Sequence, residues 1–401
     1  MKVKLGTIIT IANLFVWYYH ASTVLRGVID RILLNQVEKL ILNVVFFSVI
    51  IVSMTGGAYI SGKLVHLKRF ILLWNLFGVF SSLALAMLEM IPVTTFNILF
   101  LLSLVGISFG LGFPSCMRIF ADITEERNRA WFGSILILFM FMGLFVSGFI
   151  TSMNSFWNVL VLTAFRSLGL ISFRFLNDYF LNYKQKREVS FVFLLVKERA
   201  VLLYLAPWSA FSIVNYLGWP ICSKIYGEEF VHHSALVSSI ITIFFALISG
   251  FFADNVGRRK VLITGFIIFG IAYAMLGINP YNFYVWYFYT IADGVAWGIF
   301  YVVFWFTIWG DLAHEQPSEK YYVIGIIPYI FSGFLRVTIG PFIINAISEY
   351  AIFSFAAFFL FLAVIPLMFA PETLPEKTLR ERELRSYIER AKRVREKFTR
   401  G

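Results

Sequence analysis

The stretch from Gly250 to Lys260, GFFADNVGRRK, carries the strongest local signal in this sequence. It separates two apolar runs, at 233–253 and 261–279, and each run is long enough to cross a lipid bilayer. Its glycines permit a tight turn and a close backbone approach, while its consecutive bases are typical of the side of a membrane where positive residues collect. A short charged turn between two apolar helices predicts a helical membrane protein.

The composition of the whole chain agrees with that prediction. Of 401 residues, 59% are hydrophobic, 19% are aromatic and only 14% are charged, which excludes a water-soluble globular protein. Apolar runs predict twelve transmembrane helices, α1 to α12 in chain order, at 6–27, 38–61, 69–91, 96–118, 131–152, 156–176, 200–222, 233–253, 261–279, 283–310, 321–346 and 351–370. The predicted fold class is therefore an all-α polytopic membrane protein.

A basic segment divides the predicted helices into two sets of six. The first set occupies 1–176 and the second 200–370, with a basic central loop at 177–199 and a basic amphipathic tail at 371–401. The loops after α4 and α10, ADITEERNRAWFG and GDLAHEQPSEKYY, resemble each other in the order of their acids, bases and aromatics. We interpret the two sets as a duplicated structural unit.

The net charge of +11 predicts an orientation in the membrane rather than a nucleic-acid partner. Twelve crossings place both termini on one side, and 28 of the 34 Lys and Arg residues fall on that side. The positive-inside rule then predicts cytoplasmic termini in a multi-pass protein of the cell membrane. The sequence has no motif for ATP binding, zinc-dependent proteolysis or serine hydrolysis, so we expect neither an enzyme nor a bound metal or cofactor.

The quoted stretch matches the pattern G-x-x-x-D-x-x-G-R-[KR], and the chain thereby resembles the major facilitator superfamily of transporters. PETLPEK, directly after α12, resembles a motif of the sugar-porter branch of that family, and the likeness extends over nearly the whole chain. The resemblance implies two six-helix bundles around a central site lined by α1, α4, α7 and α10. It also implies that the bundles rock and expose this site alternately to either side of the membrane.

The resemblance gives the α8–α9 turn the role of a latch that holds the cytoplasmic side shut. Asp254 is expected to meet the positive N-terminal end of a neighbouring helix, and Arg258 to pair with Asp311 at the exit of α10. The predicted latch residues are Gly250, Asp254, Gly257, Arg258, Arg259 and Asp311. A plain positive loop is the alternative, and Ser61 stands where the first half should carry its acid, which argues against a symmetric latch.

Ionisable residues within a membrane span are costly, so each of them is a candidate for function. Asp293 in α10 and Arg336 in α11 lie at matching depth, about 15 Å from the outer face, and we expect them to pair. Such a pair is equally compatible with a structural role and with substrate binding or proton coupling. Arg166 is expected to make a structural contact, and His20 is either a hydrogen-bonded interface residue or a proton-coupling group.

Polar and aromatic residues of the expected cavity helices complete the set of candidates for substrate contact: Asn13 on α1, Asn215 and Tyr216 on α7, and Trp297 and Tyr301 on α10. Aromatic faces of this kind pack against sugar rings and other ligands. The sequence thus predicts a monomeric secondary transporter of a small organic solute, sugar-like or another metabolite, with the proton as a candidate coupling ion. A passive facilitator or drug exporter of the same fold and a non-transporting membrane sensor are the alternatives.

Overall fold

The structure is a computed structural model that describes residues 2–31, 35–63, 67–86, 94–151, 155–181, 190–314, 316–375 and 384. Within these ranges, 11 helical segments are long and apolar enough to cross a membrane. One of them, Arg199–Val256, has 58 residues and contains two crossings that meet at Gly227, where φ is 84°. Glycine adopts this left-handed conformation at little cost, so the two helices join without a longer loop. The described chain therefore crosses twelve times, and the predicted fold class is confirmed.

The first six crossings are α1 Lys2–Arg31, α2 Gln36–Lys63, α3 Leu67–Ala84, α4 Thr95–Ile123, α5 Arg129–Thr151 and α6 Ser155–Leu181. The other six are α7 Arg199–Asn215 with 218–226, α8 228–256, α9 Arg258–Ile278, α10 Phe283–Ala313, α11 Glu319–Thr338 with Gly340–Ala346, and α12 Glu349–Leu362 with Val364–Phe369. A short helix, Phe191–Val196, lies in the predicted central loop. The predicted amphipathic tail falls almost entirely on residues outside the described ranges.

Two crossings of the second bundle contain irregular backbone. The first part of α7 ends at Asn215, and the helix resumes at Gly218. In α10, a π-helical segment, Tyr301–Thr307, separates two α-helical parts. Irregular backbone inside a membrane is found where helices line a cavity or a binding site, because freed polar groups need other partners there. These two interruptions therefore indicate where a central site would lie.

The helices pack as two bundles with two long contacts between them. In the first bundle α1 packs on α4, α5 and α6, and in the second α9 packs on α10 and α12. Between the bundles, α5 runs along α8 and α2 runs along α11. Large apolar side chains on the outside, such as Phe149, Ile278 and Tyr284, are about as exposed as they would be in an isolated peptide, which suits contact with lipid.

Candidate functional site

Buried charges from both bundles meet around the α8–α9 turn, and we call this end of the molecule the ion-pair end. Asp254 is buried near the end of α8. Its carboxylate oxygens accept hydrogen bonds from the backbone N–H groups of Ala130, at 3.2 Å, and Trp131, at 2.8 Å. These groups belong to the first turn of α5, which carries the positive end of the helix dipole. The predicted contact of Asp254 with a helix N-terminus is confirmed, and it joins the two bundles.

Arg258, the first residue of α9, connects two acids of the second bundle. Its Nη2 lies 3.0 Å from Asp254 Oδ1, and its Nε lies 3.1 Å from Asp311 Oδ2. The same guanidinium donates to the carbonyl oxygen of Ala253 at 3.1 Å and to that of Glu126 in the first bundle. The fixed fork of five N–H donors suits such a crowded set of acceptors. The predicted pairing of Arg258 with Asp311 is confirmed.

Asp311 has a further partner that the sequence analysis missed. Arg129, the first residue of α5, donates from Nη1 to Asp311 Oδ1 at 2.5 Å. The hydroxyl of Thr373 donates to Oδ2 at 3.0 Å. Both charged side chains are buried, and because they belong to different bundles this ion pair bridges the boundary. Arg129 is the base at the helix entry in the ADITEERNRAWFG loop, so the sequence held a signal for it.

The PETLPEK segment folds back on the α8–α9 turn. Glu372 accepts hydrogen bonds from the backbone N–H groups of Arg258, at 2.8 Å, and Arg259, at 3.2 Å, and so caps the start of α9. At Gly257 φ is 113°, and a Cβ there would clash with the carboxylate of Glu372, so glycine is required. The side chain of Arg259 donates to the carbonyl oxygen of Ala370 at 3.0 Å. Arg259 therefore ties α9 to α12 within one bundle and does not cross to the other.

Gly250 lets α8 and α5 approach closely. A Cβ at this position would lie 2.7 Å from Ser134 Cβ and 2.8 Å from the carbonyl oxygen of Ala130, closer than side chains tolerate. Because Gly250 has no side chain, the helices approach closely, and Asp254, one turn further along α8, reaches the start of α5.

The first half has a different arrangement at the position equivalent to Asp254. Ser61 is buried, and its hydroxyl lies 3.4 Å from the carbonyl oxygen of Ala58 in its own helix. The charged contact on this side of the boundary is instead an ion pair between Arg118 of α4 and Glu319 of α11, both 1% exposed. Arg118 Nε also lies 3.5 Å from Asp122 Oδ2. Among the described residues, Ser61 does not repeat the contacts of Asp254, as the sequence led us to expect. A second ion pair nearby, Arg118 with Glu319, nevertheless joins the bundles.

Aromatic side chains from both bundles meet at the centre of the molecule. Phe15 of α1 stacks on Trp305 of the π-helical segment, with 5.2 Å between ring centroids. Tyr329 of α11 packs edge-on to Trp305 at 4.9 Å, and Trp297 packs on Tyr301 at 4.6 Å. We call these five residues the aromatic layer. Two of the predicted candidates, Trp297 and Tyr301, belong to it.

Asp293 lies one helical turn from Trp297 and is buried. The hydroxyl of Ser238 on α8 donates to its Oδ2 at 2.7 Å, while Oδ1 has no hydrogen-bond partner among the described residues. Arg336 is exposed and forms no described ion pair with Asp293. The predicted Asp293–Arg336 pair is therefore wrong. Matching depth does not fix the direction of a side chain, and Asp293 faces α8 inside its own bundle.

Three other polar candidates lie inside the first bundle, away from the aromatic layer. Asn13 donates to the carbonyl oxygen of Phe165 at 2.5 Å and accepts from Arg166 Nη1 at 2.7 Å. The guanidinium of Arg166 also lies over the rings of Trp17 and Trp74. His20 Nε2 lies 2.5 Å from Asn158 Oδ1 on α6. These contacts join α1 to α6 and α3, as expected for structural residues.

The two candidates on α7 lie at its interruption. Tyr216 is buried, and its ring is 3.4 Å from the position that a Cβ of Gly340 would occupy. Asn215 is half-buried, and its Oδ1 has no hydrogen-bond partner among the described residues. Of the two, Asn215 has a free acceptor that a ligand could use.

The two ends of the bundle boundary differ in accessibility. Among the described residues, the ion pairs that join the bundles all lie at the ion-pair end. Towards the opposite end, Tyr19 on the central side of α1 is 58% exposed, and Arg26 and Arg336 are exposed as well. Among the described residues, buried ion pairs therefore close the ion-pair end, and exposed side chains of both bundles lie towards the opposite end.

The fold and this site define a polytopic helical membrane protein built from two bundles. The family described as Major Facilitator Superfamily matches residues 200–398. A solved structure of the proton:xylose symporter XylE bound to 6-bromo-6-deoxy-D-glucose is similar in fold, with a TM-score of 0.67 and 13% sequence identity over 93% of this chain and 96% of that one. A search of curated proteins gives no significant match. The second half of the chain thus matches the major facilitator superfamily, and the whole chain is similar in fold to a solved member of that family.

Proposed function

We propose that the chain is a secondary active transporter that moves a small organic solute across the cell membrane by alternating access, as a monomer with its ion-pair end in the cytoplasm. The proposal is based on the difference between the two ends of the interface between the six-helix bundles. Buried charges join the bundles at one end, while exposed side chains of both bundles lie towards the other. A transporter needs a closure of this kind that can be released.

The buried network has the properties of a releasable latch. Opening the ion-pair end would separate Asp254 from the start of α5 and Asp311 from Arg129. These contacts are strong while water is excluded, and water can replace them once the end opens. The network thus stabilises the closed state without making it permanent. The latch role of Gly250, Asp254, Arg258 and Asp311 rests on this geometry, while Gly257 and Arg259 hold the α8–α9 turn within the second bundle.

The centre of the molecule offers surfaces for a solute and a candidate group for coupling. Rings of the aromatic layer come from both bundles, so a solute packed on them would contact both. The similar XylE structure is that of a proton:xylose symporter bound to a sugar analogue, which supports a small solute here. Asp293, with one oxygen unpartnered among the described residues, is the candidate for carrying a proton.

Uptake by purified protein in proteoliposomes tests the proposal. Labelled sugars, organic acids and amino acids are offered with and without an imposed proton gradient. A secondary active transporter accumulates its solute when the gradient is present, whereas a passive facilitator only equilibrates it. A membrane sensor binds the solute without moving it, and that outcome would refute the proposal.

Reporter fusions test the orientation. Fusions at the N-terminus and after Gly401 should both give cytoplasmic signals, because most of the basic residues fall on that side. An external signal from either fusion would contradict the proposed topology.

A further inference from the structure

Two arginines lie between the aromatic layer and the opposite end, one on each bundle. They are Arg26 of α1 and Arg336 of α11, and both side chains are exposed. Neither belongs to the network at the ion-pair end, and neither forms an ion pair among the residues whose side chains the structure describes, which do not include Asp30 and Arg31. A positive charge within a membrane span costs free energy, so such residues usually pair with a negative charge or serve a function.

Arg26 shares a face of α1 with the aromatic layer. Phe15, Tyr19, Ser22 and Arg26 are spaced by four, three and four residues, which places them on one side of a helix. The other sides of α1 pack on α4, α5 and α6. The shared face therefore borders the central cleft, with Arg26 about 16 Å from Phe15 along the helix axis.

Arg336 is placed in the same way on the other bundle. It follows Tyr329 by seven residues, or two helical turns, and so lies on the same face of α11. The ring of Tyr329 packs on Trp305, which directs this face towards the aromatic layer. Arg26, Tyr19 and Tyr329 all contribute to the electrostatic surroundings of Arg336. The two guanidinium groups therefore border the same cleft from opposite sides.

The acids described around these arginines are engaged with other groups. Lys224, a base at the same end, pairs with Glu349 at 2.8 Å. Glu228, which also contributes to the surroundings of Arg336, accepts a hydrogen bond from the hydroxyl of Ser223. Lys224 thus shows how a base is neutralised at this end, and Arg336 has no such described partner.

Two buried donors add to the same site. Ser22 Oγ, on the shared face of α1, and Trp305 Nε1, in the aromatic layer, have no hydrogen-bond partner among the described residues. Each of these residues is only 8% exposed. Buried polar groups without partners are uncommon, and a bound ligand is one reason for them. With the arginines, they form a set of donors that suits an acceptor-rich group.

Closure of the opposite end would bring these positive charges together away from water. That step is unfavourable for two unpaired guanidinium groups, because they repel each other and lose hydration. A carboxylate or phosphate group on a solute would neutralise them and can bind a guanidinium through two parallel hydrogen bonds. Closure of this end would then depend on an anionic solute.

We propose, building on the transport function above, that the solute is a small organic anion. Its acidic group is held by Arg336 together with Arg26, and its ring or carbon chain lies on the aromatic layer. This assignment narrows the expected sugar-like solute to an acidic one, such as a sugar acid or a sugar phosphate.

Charged thiol reagents test the electrostatic part of the proposal without knowledge of the solute. Tyr19→Cys is made in a chain whose two cysteines are replaced by serine, and its reaction rates with negatively and positively charged methanethiosulfonates are compared. Each rate is divided by the rate of the same reagent with a free thiol, so that the ratio reports the local potential. We expect the negative reagent to react about tenfold faster.

Variants at the same end assign that preference to Arg336. Arg336→Gln should lower the rate ratio at least severalfold, and Arg336→Lys should largely preserve it. Lys224→Gln is the matched control, since it removes a base that is already paired, and should leave the ratio nearly unchanged. A ratio of one or less in the parent, or a ratio that Arg336→Gln leaves unchanged, would overturn the proposal.

Uptake of matched solutes separates this inference from the proposed function. Gluconate and glucose 6-phosphate are each compared with glucose in proteoliposomes, and we expect the acids to be favoured about tenfold. Uptake of glucose alone would overturn the anionic solute and leave the transport function standing. Protection of the introduced thiol by the acids, without any uptake, would support the anion site and refute transport.

Discussion

The two ends of the molecule place charges at the bundle boundary in opposite ways. At the ion-pair end, Arg129 of the first bundle meets Asp311 of the second at 2.5 Å. At the opposite end, Arg26 and Arg336 belong to different bundles and carry the same charge. Opposite charges favour contact, and like charges favour separation. The charges alone therefore favour a conformation that is closed at one end and open at the other.

This difference shows what a change of conformation must overcome. Opening the ion-pair end separates buried partners, and closing the opposite end confines two positive groups. Water that enters the ion-pair end would offset the free-energy cost of opening it, and an anionic solute bound at the opposite end would offset the cost of closing that end. The four predictions that follow test the comparison, beginning with the change expected to have the largest effect.

Asp311→Asn should have the largest effect, because Asp311 is the shared partner of two buried arginines. Loss of one member of a buried ion pair typically costs about 3 to 5 kcal/mol. We expect a lower Tm in detergent and uptake near background. Asp122→Asn is the matched control, since Asp122 occupies the corresponding position near the end of α4 and is 18% exposed. Equal Tm values for the two variants would show that the shared carboxylate is not central to the closed end.

Asp254→Asn should impair transport while leaving membrane insertion and solute binding largely intact. The amide keeps one acceptor for the start of α5 but loses the charge that Arg258 and the helix dipole favour. The loss should be about 1 to 3 kcal/mol of stabilisation of the closed end. Ser61→Ala, at the equivalent position of the first half, is the control and should transport normally.

Accessibility at the ion-pair end gives a direct measure for the same variant. Ala121→Cys in the chain without native cysteines places a thiol at the end of α4, beneath Arg129. Its reaction with a membrane-impermeant reagent should be faster in Asp254→Asn than in the parent. An unchanged rate, together with normal uptake, would rule out a latch at Asp254.

Much of this network could be predicted from the sequence. The turn from Gly250 to Lys260 and the pairing of Arg258 with Asp311 follow from charged residues at helix ends that the predicted topology places on the same side of the membrane. Arg129 and Glu372 stand in segments with recognisable patterns, but their partners depend on how the bundles dock. The pairing of Asp293 with Arg336 failed for a different reason. Depth can be counted along a helix, but it does not fix the direction in which a side chain points around the helix axis. Asp293 points to Ser238 of α8 within its own bundle.

The Arg118–Glu319 ion pair should contribute less than the Asp311 contacts, because Arg118 keeps Asp122 as a partner. Arg118→Gln and Glu319→Gln should each lower the Tm, and the double variant should lose less than the sum of the two. The interaction free energy from this cycle should be about 1 to 3 kcal/mol, as for other buried contacts. If the losses of the two single variants add up in the double variant, the Arg118–Glu319 pair does not stabilise the contact between the bundles. The ion pairs of Asp311 would then be the ones that do.

The smallest effect is expected for the coupling between Asp293 and Arg336, which lie at matching depth but have different surroundings. Asp293 is bound by Ser238 inside the second bundle, while Arg336 borders the cleft. Asp293→Asn and Arg336→Gln should therefore change the free energy of unfolding additively, within about 0.5 kcal/mol. Their effects on transport should differ in kind, because Arg336→Gln weakens the uptake of acidic solutes and Asp293→Asn removes a group that can carry a proton. A coupling well above 1 kcal/mol would mean that the two charges meet in another conformation of the cycle. Arg336 would then have a carboxylate partner within the protein, and the contrast between the two ends would hold only for the conformation described here.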